Sequence, residues 1–407
     1  MQSRKARRNL YVGAAFLAAL AVVAVTQGAL ERAAAAQGRN GVQAPRFEVD
    51  PFWPKPLPNH WVVGSIIGVS VDAQDHVWIV HRTQALNANE RAAEVNPPTG
   101  ECCRTAPDVL EFDQAGNLLR HWGGKDGDNY QWPSSNHGIH VDYKGNVWLG
   151  GNGGGREPVM DGLIVKFTGD GKFLLQVGKR AVPIDSSSTE HFAKATKVFV
   201  DKATNEAYVA DGYGNHRVAV LDADTGKFKR IWGAYGNKPT DENLGRYDPN
   251  APPAQQFRSA VHCAEVSNDA MVYVCDRINN RIQVFTREGK FIKEGIFAKQ
   301  TLGAGSAWDI AFSRDAQQKY IYLADGTNEK VYIIDRQSLQ ELTSFGDGGR
   351  QPGQFFGTHS IATDSKGNIY TTETYEGKRV QRFIYKGIGP VTKQNQGVLW
   401  PRSVTTN

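Results

Sequence analysis

The sequence predicts an all-β chain folded as a six-bladed β-propeller, with four-stranded blades around a central channel. Three observations predict it. One pattern recurs six times: four or five alternating apolar residues, an Asp with a Gly/Asn turn, then an aromatic strand. Period-2 alternation rich in β-branched and aromatic residues runs throughout, and no stretch beyond the N-terminal apolar run has a helical period. The aromatic markers Trp78, Trp148, Tyr208, Tyr273, Tyr322 and Tyr370 stand 48 to 70 residues apart, at or above the roughly 40–50 residues of a four-stranded blade.

Residues 1–36 read as an export signal. Arg4, Lys5, Arg7 and Arg8 precede the apolar run Leu10–Val25, and the small residues Ala33–Ala36 suit a signal peptidase, with cleavage expected near Ala36. The Arg7–Arg8 pair points to the twin-arginine route. An uncleaved anchor is the alternative reading, but the run is shorter than the ~20 residues of a spanning helix. The expected location is secreted or periplasmic, with no membrane contact beyond the signal. Residues 37–63 form an N-terminal segment whose Phe47–Trp53 stretch could supply a last strand to the sixth blade and close the ring.

The propeller is expected over residues 64–385. Its six copies open at Gly68, His137, Thr196, His262, Trp308 and His359, each giving two strands of a hairpin. Arg217–Leu221, Arg281–Phe285, Val331–Asp335 and Arg379–Phe383 read as third strands. The longer early spacings imply inserted loops at Thr83–Pro107, Asn152–Asp161, Lys179–Ala195 and Ala234–Gln256. Residues 386–407 form a C-terminal tail.

The 407 residues carry 47 basic and 42 acidic side chains, a net charge of +5, with no long basic run past the signal; nucleic acid is not implied. The four cysteines can be disulfide-bonded in an exported protein. Cys263 and Cys275 fall on two strands of one hairpin and could face each other. Cys102 and Cys103 are adjacent, and free thiols are the alternative. No CxxCH or CxxC motif is present, which argues against c-type haem and a zinc ribbon.

In a propeller the first strand of each blade lines the channel. His137, His262 and His359 begin the first strands of blades two, four and six at one register, and the other three blades carry Ile67, Thr196 and Trp308 there. Alternate blades lie about 120° apart, so three imidazoles should converge on the axis. Three histidines with an open position suit a catalytic zinc, although copper, iron and nickel also take imidazole. His60, His76, His121, His140 and His216 follow no such register and read as structural. The ends of second strands reach the same face and bring Arg82, Asp211–Tyr213 and Asp276–Arg277. Short acidic side chains there serve the following turn. Blade three has one residue more than blade four between this Asp and the next Arg, which should push Tyr213 toward the channel.

DRINNR at Asp276–Arg281 and DGTNEK at Asp325–Lys330 resemble NHL repeats. IVHR ending at Arg82, HGIHVDYKGNVW from His137, EHF at Glu190–Phe192, VADGYGNHRV at Val209–Val218, VCDRINNRIQVF at Val274–Phe285 and THSIATDSKGNIY from Thr358 resemble the peptidyl-α-hydroxyglycine α-amidating lyase domain of peptidylglycine α-amidating monooxygenase. The resemblance runs from about Gly64 to Phe383. It implies zinc on His137, His262 and His359, Tyr213 as base, and Arg82 and Arg277 orienting a substrate carboxylate. It implies cleavage of an α-hydroxyglycine into an amide and glyoxylate. The chemistry suits the residues: a metal can acidify the carbinolamide hydroxyl, a phenol needs a neighbouring cation to act as base, and a guanidinium grips a carboxylate bidentately. The resemblance also implies a structural calcium held by the carbonyls of Val69 and Ile139 and by a carboxylate after the third histidine. Ser360 stands at that last position, which puts the calcium in doubt. The family's disulfide cysteines do not match these four.

The first reading is therefore a metal-dependent carbon–nitrogen lyase for a small-molecule or peptide-terminal substrate, acting as a monomer. A propeller hydrolase such as a lactonase is a second reading. Such enzymes typically hold calcium with carboxylates and amides, whereas this channel offers imidazoles. A non-catalytic NHL propeller that binds protein or ligand is the third.

Overall fold

The computed structural model describes residues 41–153 and 160–401; the predicted signal lies outside them. Six four-stranded antiparallel sheets follow one another along the chain, five built in sequence order and the sixth completed by an N-terminal strand, so the protein is a six-bladed β-propeller. The first strands are Ser65–Val71, Asn136–Val141, Ala195–Asp201, Val261–Val266, Asp309–Phe312 and Thr358–Thr363.

The recurring Asp and aromatic residue are physically coupled. Asp72 accepts the Trp78 indole N–H at 2.9 Å, Asp142 accepts that of Trp148 at 2.9 Å, and Asp364 accepts the Tyr370 hydroxyl at 3.1 Å. Each Asp also takes backbone N–H groups of its own turn. One carboxylate thus fixes both the hairpin turn and the core aromatic, which is why the two recur together. The aromatic faces then pack between blades, as where Phe345, Phe355 and Phe383 meet Phe47.

Ring closure brings a correction. Gln43–Asp50, not Phe47–Trp53, is the outer strand of blade six, paired with Val380–Pro390. Pro51 and Pro54 cannot donate to a ladder, so the strand ends at Asp50. Trp53 leaves it to pack against Phe112 and Tyr370. The boundary predicted at 385 falls inside Val380–Pro390, because the closing strand gives residues past 385 a partner. The tail is also engaged: Leu399 exchanges backbone bonds with Phe47 and Val49, and Gln394 and Gln396 bond Ser344.

Five first strands carry a β-bulge at the histidine register, between Ile66/Gly68, His137/Ile139, Ala195/Lys197, Val261/Cys263 and Thr358/Ser360. A bulge leaves a residue out of the ladder and re-aims its side chain. That is how consecutive residues both reach the channel.

Disulfides join Cys263 to Cys275, which sit opposite each other in their hairpin, and Cys102 to Cys103 in the 83–107 loop. Among the described residues no helix is long and apolar enough to cross a membrane.

Candidate metal centre and its flanking arginines

His137, His262 and His359 are buried on three alternate blades. Their ring centroids form a nearly equilateral triangle of 5.0, 4.8 and 4.9 Å. One ligand nitrogen from each lies within 4.8 Å of the others.

The intervening blades orient the rings. His137 Nδ1 donates to the Thr196 carbonyl at 2.8 Å, and His262 Nδ1 donates to the Trp308 carbonyl. The Ile67 carbonyl acts on His359 in the same sense, although His359 Nδ1 falls short of hydrogen-bond geometry. A carbonyl can only accept, so these contacts select the Nδ1–H tautomer and leave the Nε2 lone pair for the channel. Burial pushes all three pKa values well below the usual imidazole range; the Arg82 and Arg277 charges push His137 and His359 the same way, and Arg277 pushes His262. Neutral imidazole is the form that binds a metal, so the donor set fits a transition metal such as zinc.

Tyr213 Oη lies 3.2 Å from His137 Nε2 and 3.4 Å from His262 Nε2. The turn that carries it is held by a buried pair. Asp211 accepts Arg217 Nε at 2.8 Å, and Arg217 in turn binds the carbonyls of Ser186 and His191. Arg277 Nη1 donates to Tyr213 Oη at 2.8 Å. Its guanidinium also stacks on Trp308, 4.5 Å from the ring centroid, and its Nε is buried without a partner. Arg82 donates to the Asn136 carbonyl at 3.0 Å and to Asn152 Oδ1 at 2.7 Å. Burial lowers its pKa from the usual guanidinium value. Among the described residues neither Arg82 nor Arg277 forms an ion pair, unlike Arg217 and Arg281, which pair with Asp211 and Asp276. Two unpaired guanidinium groups beside neutral histidines make a site for an anion.

Val69 and Ile139, the carbonyl residues of the implied calcium site, line a cavity of about 400 Å³ on the far side of the channel. Ser360, the residue after His359, donates to Asp309 Oδ2 at 2.7 Å, and both line a separate small cavity with the three histidines.

Sequence reasoning missed two features. The carbonyl acceptors carry no side-chain signature. A second group, Asp72, His76 and Glu111, could also hold a metal, whereas His76 reads as structural in sequence. In the structure that group is engaged by protein: Trp78 binds Asp72, His76 Nδ1 lies 2.8 Å from Glu111, and Arg120 lies 3.2 Å from Glu111.

No protein-family model matches the chain. It is 31% identical over 245 residues to peptidyl-glycine α-amidating monooxygenase B of Xenopus laevis, covering 59% of this chain and 25% of that protein. It is 27% identical over 247 residues to a probable peptidyl-α-hydroxyglycine α-amidating lyase of Caenorhabditis elegans, covering 58% and 60%. It is 24% identical over 310 residues to NHL repeat-containing protein 3 of Mus musculus, covering 74% and 70%. The chain thus spans a quarter of the first relative and three fifths of the second. A solved streptogramin B lyase matches with a TM-score of 0.49 and 13% identity, covering 84% of this chain and 98% of that one. The chain is a six-bladed β-propeller similar in sequence to the peptidyl-α-hydroxyglycine α-amidating lyases and to NHL repeat-containing protein 3.

Proposed function

We propose that the protein is an exported metal-dependent lyase. It cleaves a C–N bond of an α-hydroxyglycine or carbinolamide-like substrate, releasing an amide and a glyoxylate-type product. One observation carries this reading: three neutral imidazoles converge on one another, and two of them, His137 and His262, stand beside a tyrosine hydroxyl that Arg277 contacts. Similarity to amidating lyases supports it.

His137, His262 and His359 would hold zinc or a similar transition metal, which supplies Lewis-acid polarisation of the substrate hydroxyl. Tyr213 takes the hydroxyl proton, and Arg277 Nη1 donates to its oxygen at 2.8 Å. The oxygen then forms a carbonyl as the C–N bond breaks. The bond's electron pair passes to nitrogen, which receives the proton from Tyr213 and leaves as the amide. Arg82 and Arg277 hold the glyoxyl carboxylate.

Room for the rest of the substrate lies beside Tyr213. A cavity of about 500 Å³ is lined by Leu244, Tyr247, Ser259, Ile278 and Leu302 among others. Ser259 Oγ donates to the Tyr213 carbonyl at 3.1 Å, and Ile278 follows Arg277.

The test is glyoxylate release from N-benzoyl-α-hydroxyglycine by the zinc-loaded chain. Turnover that disappears in Tyr213→Phe supports the lyase; wild-type release no faster than the zinc-only control sinks it. A non-catalytic binding propeller is the second reading, favoured by the match to NHL repeat-containing protein 3; it expects no stoichiometric metal. Export belongs to the proposal. Two disulfides suit an oxidising compartment, and a mature N-terminus near residue 37 outside the cytoplasm is the expected result.

A further inference from the structure

Directly beneath the three histidines lies a second layer of channel side chains. Lys197 follows Thr196, Asp309 follows Trp308 and Ser360 follows His359. Thr196 and Trp308 supply the carbonyls that orient His137 and His262. Both layers line one small cavity.

Lys197 Nζ lies 2.8 and 2.9 Å from the two oxygens of Asp309 and 2.5 Å from Glu265 Oε1. Asp309 Oδ2 also accepts Ser360 Oγ at 2.7 Å and the Ile361 N–H at 3.1 Å. One ammonium therefore ties blades three, four and five together, and Asp309 carries the tie into blade six. The Lys197 and Asp309 side chains are 9% and 2% exposed.

We infer that Lys197 is the channel's built-in cation: it takes the place a structural calcium would need and sets the carbonyls that orient the metal-binding histidines. Calcium requires about six to eight oxygen ligands. The two carboxylates present here, Asp309 and Glu265, are already bound to the ammonium. The residue after His359 is a neutral serine whose hydroxyl is spent on Asp309. A divalent ion at this place would meet a buried positive charge, which is costly at low dielectric. Lys197 acts on the metal centre through the backbone of Thr196 and Trp308, so it is a positioning residue.

The experiment uses the mature full chain. Thermal unfolding is followed with calcium chloride and with a calcium chelator, and zinc affinity is measured by competition with a chromophoric chelator. Wild type should hold no stoichiometric calcium, and its Tm should respond to neither reagent. Lys197→Met should lower zinc affinity about 10–100-fold, the size seen for outer partners of metal ligands, and Lys197→Arg should restore most of it. Val284→Ala, a core truncation in blade four, should lower Tm while leaving zinc affinity unchanged; this separates positioning from general destabilisation. If Lys197→Met does not fold, the wild-type calcium measurements and Lys197→Arg still decide. Stoichiometric calcium in wild type, or a wild-type Tm raised by calcium, would overturn the inference. So would zinc affinity in Lys197→Met within twofold of wild type. The calcium arm does not depend on the histidine site, so a failure of the metallolyase reading remains distinguishable.

Discussion

Arg277 Nη1 donates to Tyr213 Oη at 2.8 Å, and the same hydroxyl stands 3.2 Å from His137 Nε2. A cation on one side and ring nitrogens on the other put Tyr213 between Arg277 and the candidate metal-binding histidines.

Tyr213→Phe removes the proposed proton acceptor together with its contacts to Arg277, His137 and His262. Turnover of an α-hydroxyglycine should fall about 10²–10⁴-fold, the usual weight of general acid–base catalysis. Zinc content should stay unchanged, because the histidines keep their carbonyl partners. Single-turnover rates with metal analysis on the same sample check this. Loss of metal together with turnover would mean that Tyr213 is a ligand or a packing residue instead.

Arg82 forms no ion pair among the described residues, although the Asp161 charge acts on it; on the proposed reading it holds the substrate carboxylate. Arg82→Gln should raise KM about 10–100-fold for N-benzoyl-α-hydroxyglycine, matching the roughly 1.5–3 kcal/mol of a charged hydrogen bond. The carboxamide analogue lacks the anion, so its KM should not change. Equal effects on both substrates would assign Arg82 to shaping the loop through Asn136 and Asn152.

Asp325 gives a pH-dependent stability. Burial raises its carboxyl to about 6 against the ordinary 3.8, although Asn328, two backbone N–H groups and Tyr332 bind it. The folded state holds this proton more tightly than the unfolded chain. Protonation therefore favours folding below pH about 4, and that stability is lost as pH rises through about 6. The loss is on the order of 3 kcal/mol. Asp325→Asn cannot ionise, so denaturant unfolding between pH 4 and 7 should give a flatter profile. An unchanged slope would show that Asp325 titrates normally.

Much of the fold was legible because the repeat encodes it locally. The Asp–aromatic spacing in blades one, two and six records a direct bond, as between Asp142 and Trp148. The convergence of His137, His262 and His359 was legible because a closed six-fold ring turns sequence register into position. What escaped lies in the backbone or at long range. The Thr196 and Trp308 carbonyls could come from any residue type, and the bulges that aim the histidines leave no compositional mark. Lys197 meets Glu265 and Asp309 across 68 and 112 residues, and no local pattern announces such a pairing. The closing strand is Gln43–Asp50 because Pro51 decides where pairing stops, a limit that the apolar alternation from Phe47 does not reveal.

Metal content tests the central claim most directly. The mature chain without an affinity histidine tag, and its His262→Ala variant, are analysed by elemental mass spectrometry after purification and after exposure to zinc. About one zinc or similar transition metal per wild-type chain, lost in the variant, is the result predicted by three converging neutral imidazoles. No stoichiometric metal in wild type, even after zinc is offered, would contradict the metallolyase account and favour a binding propeller.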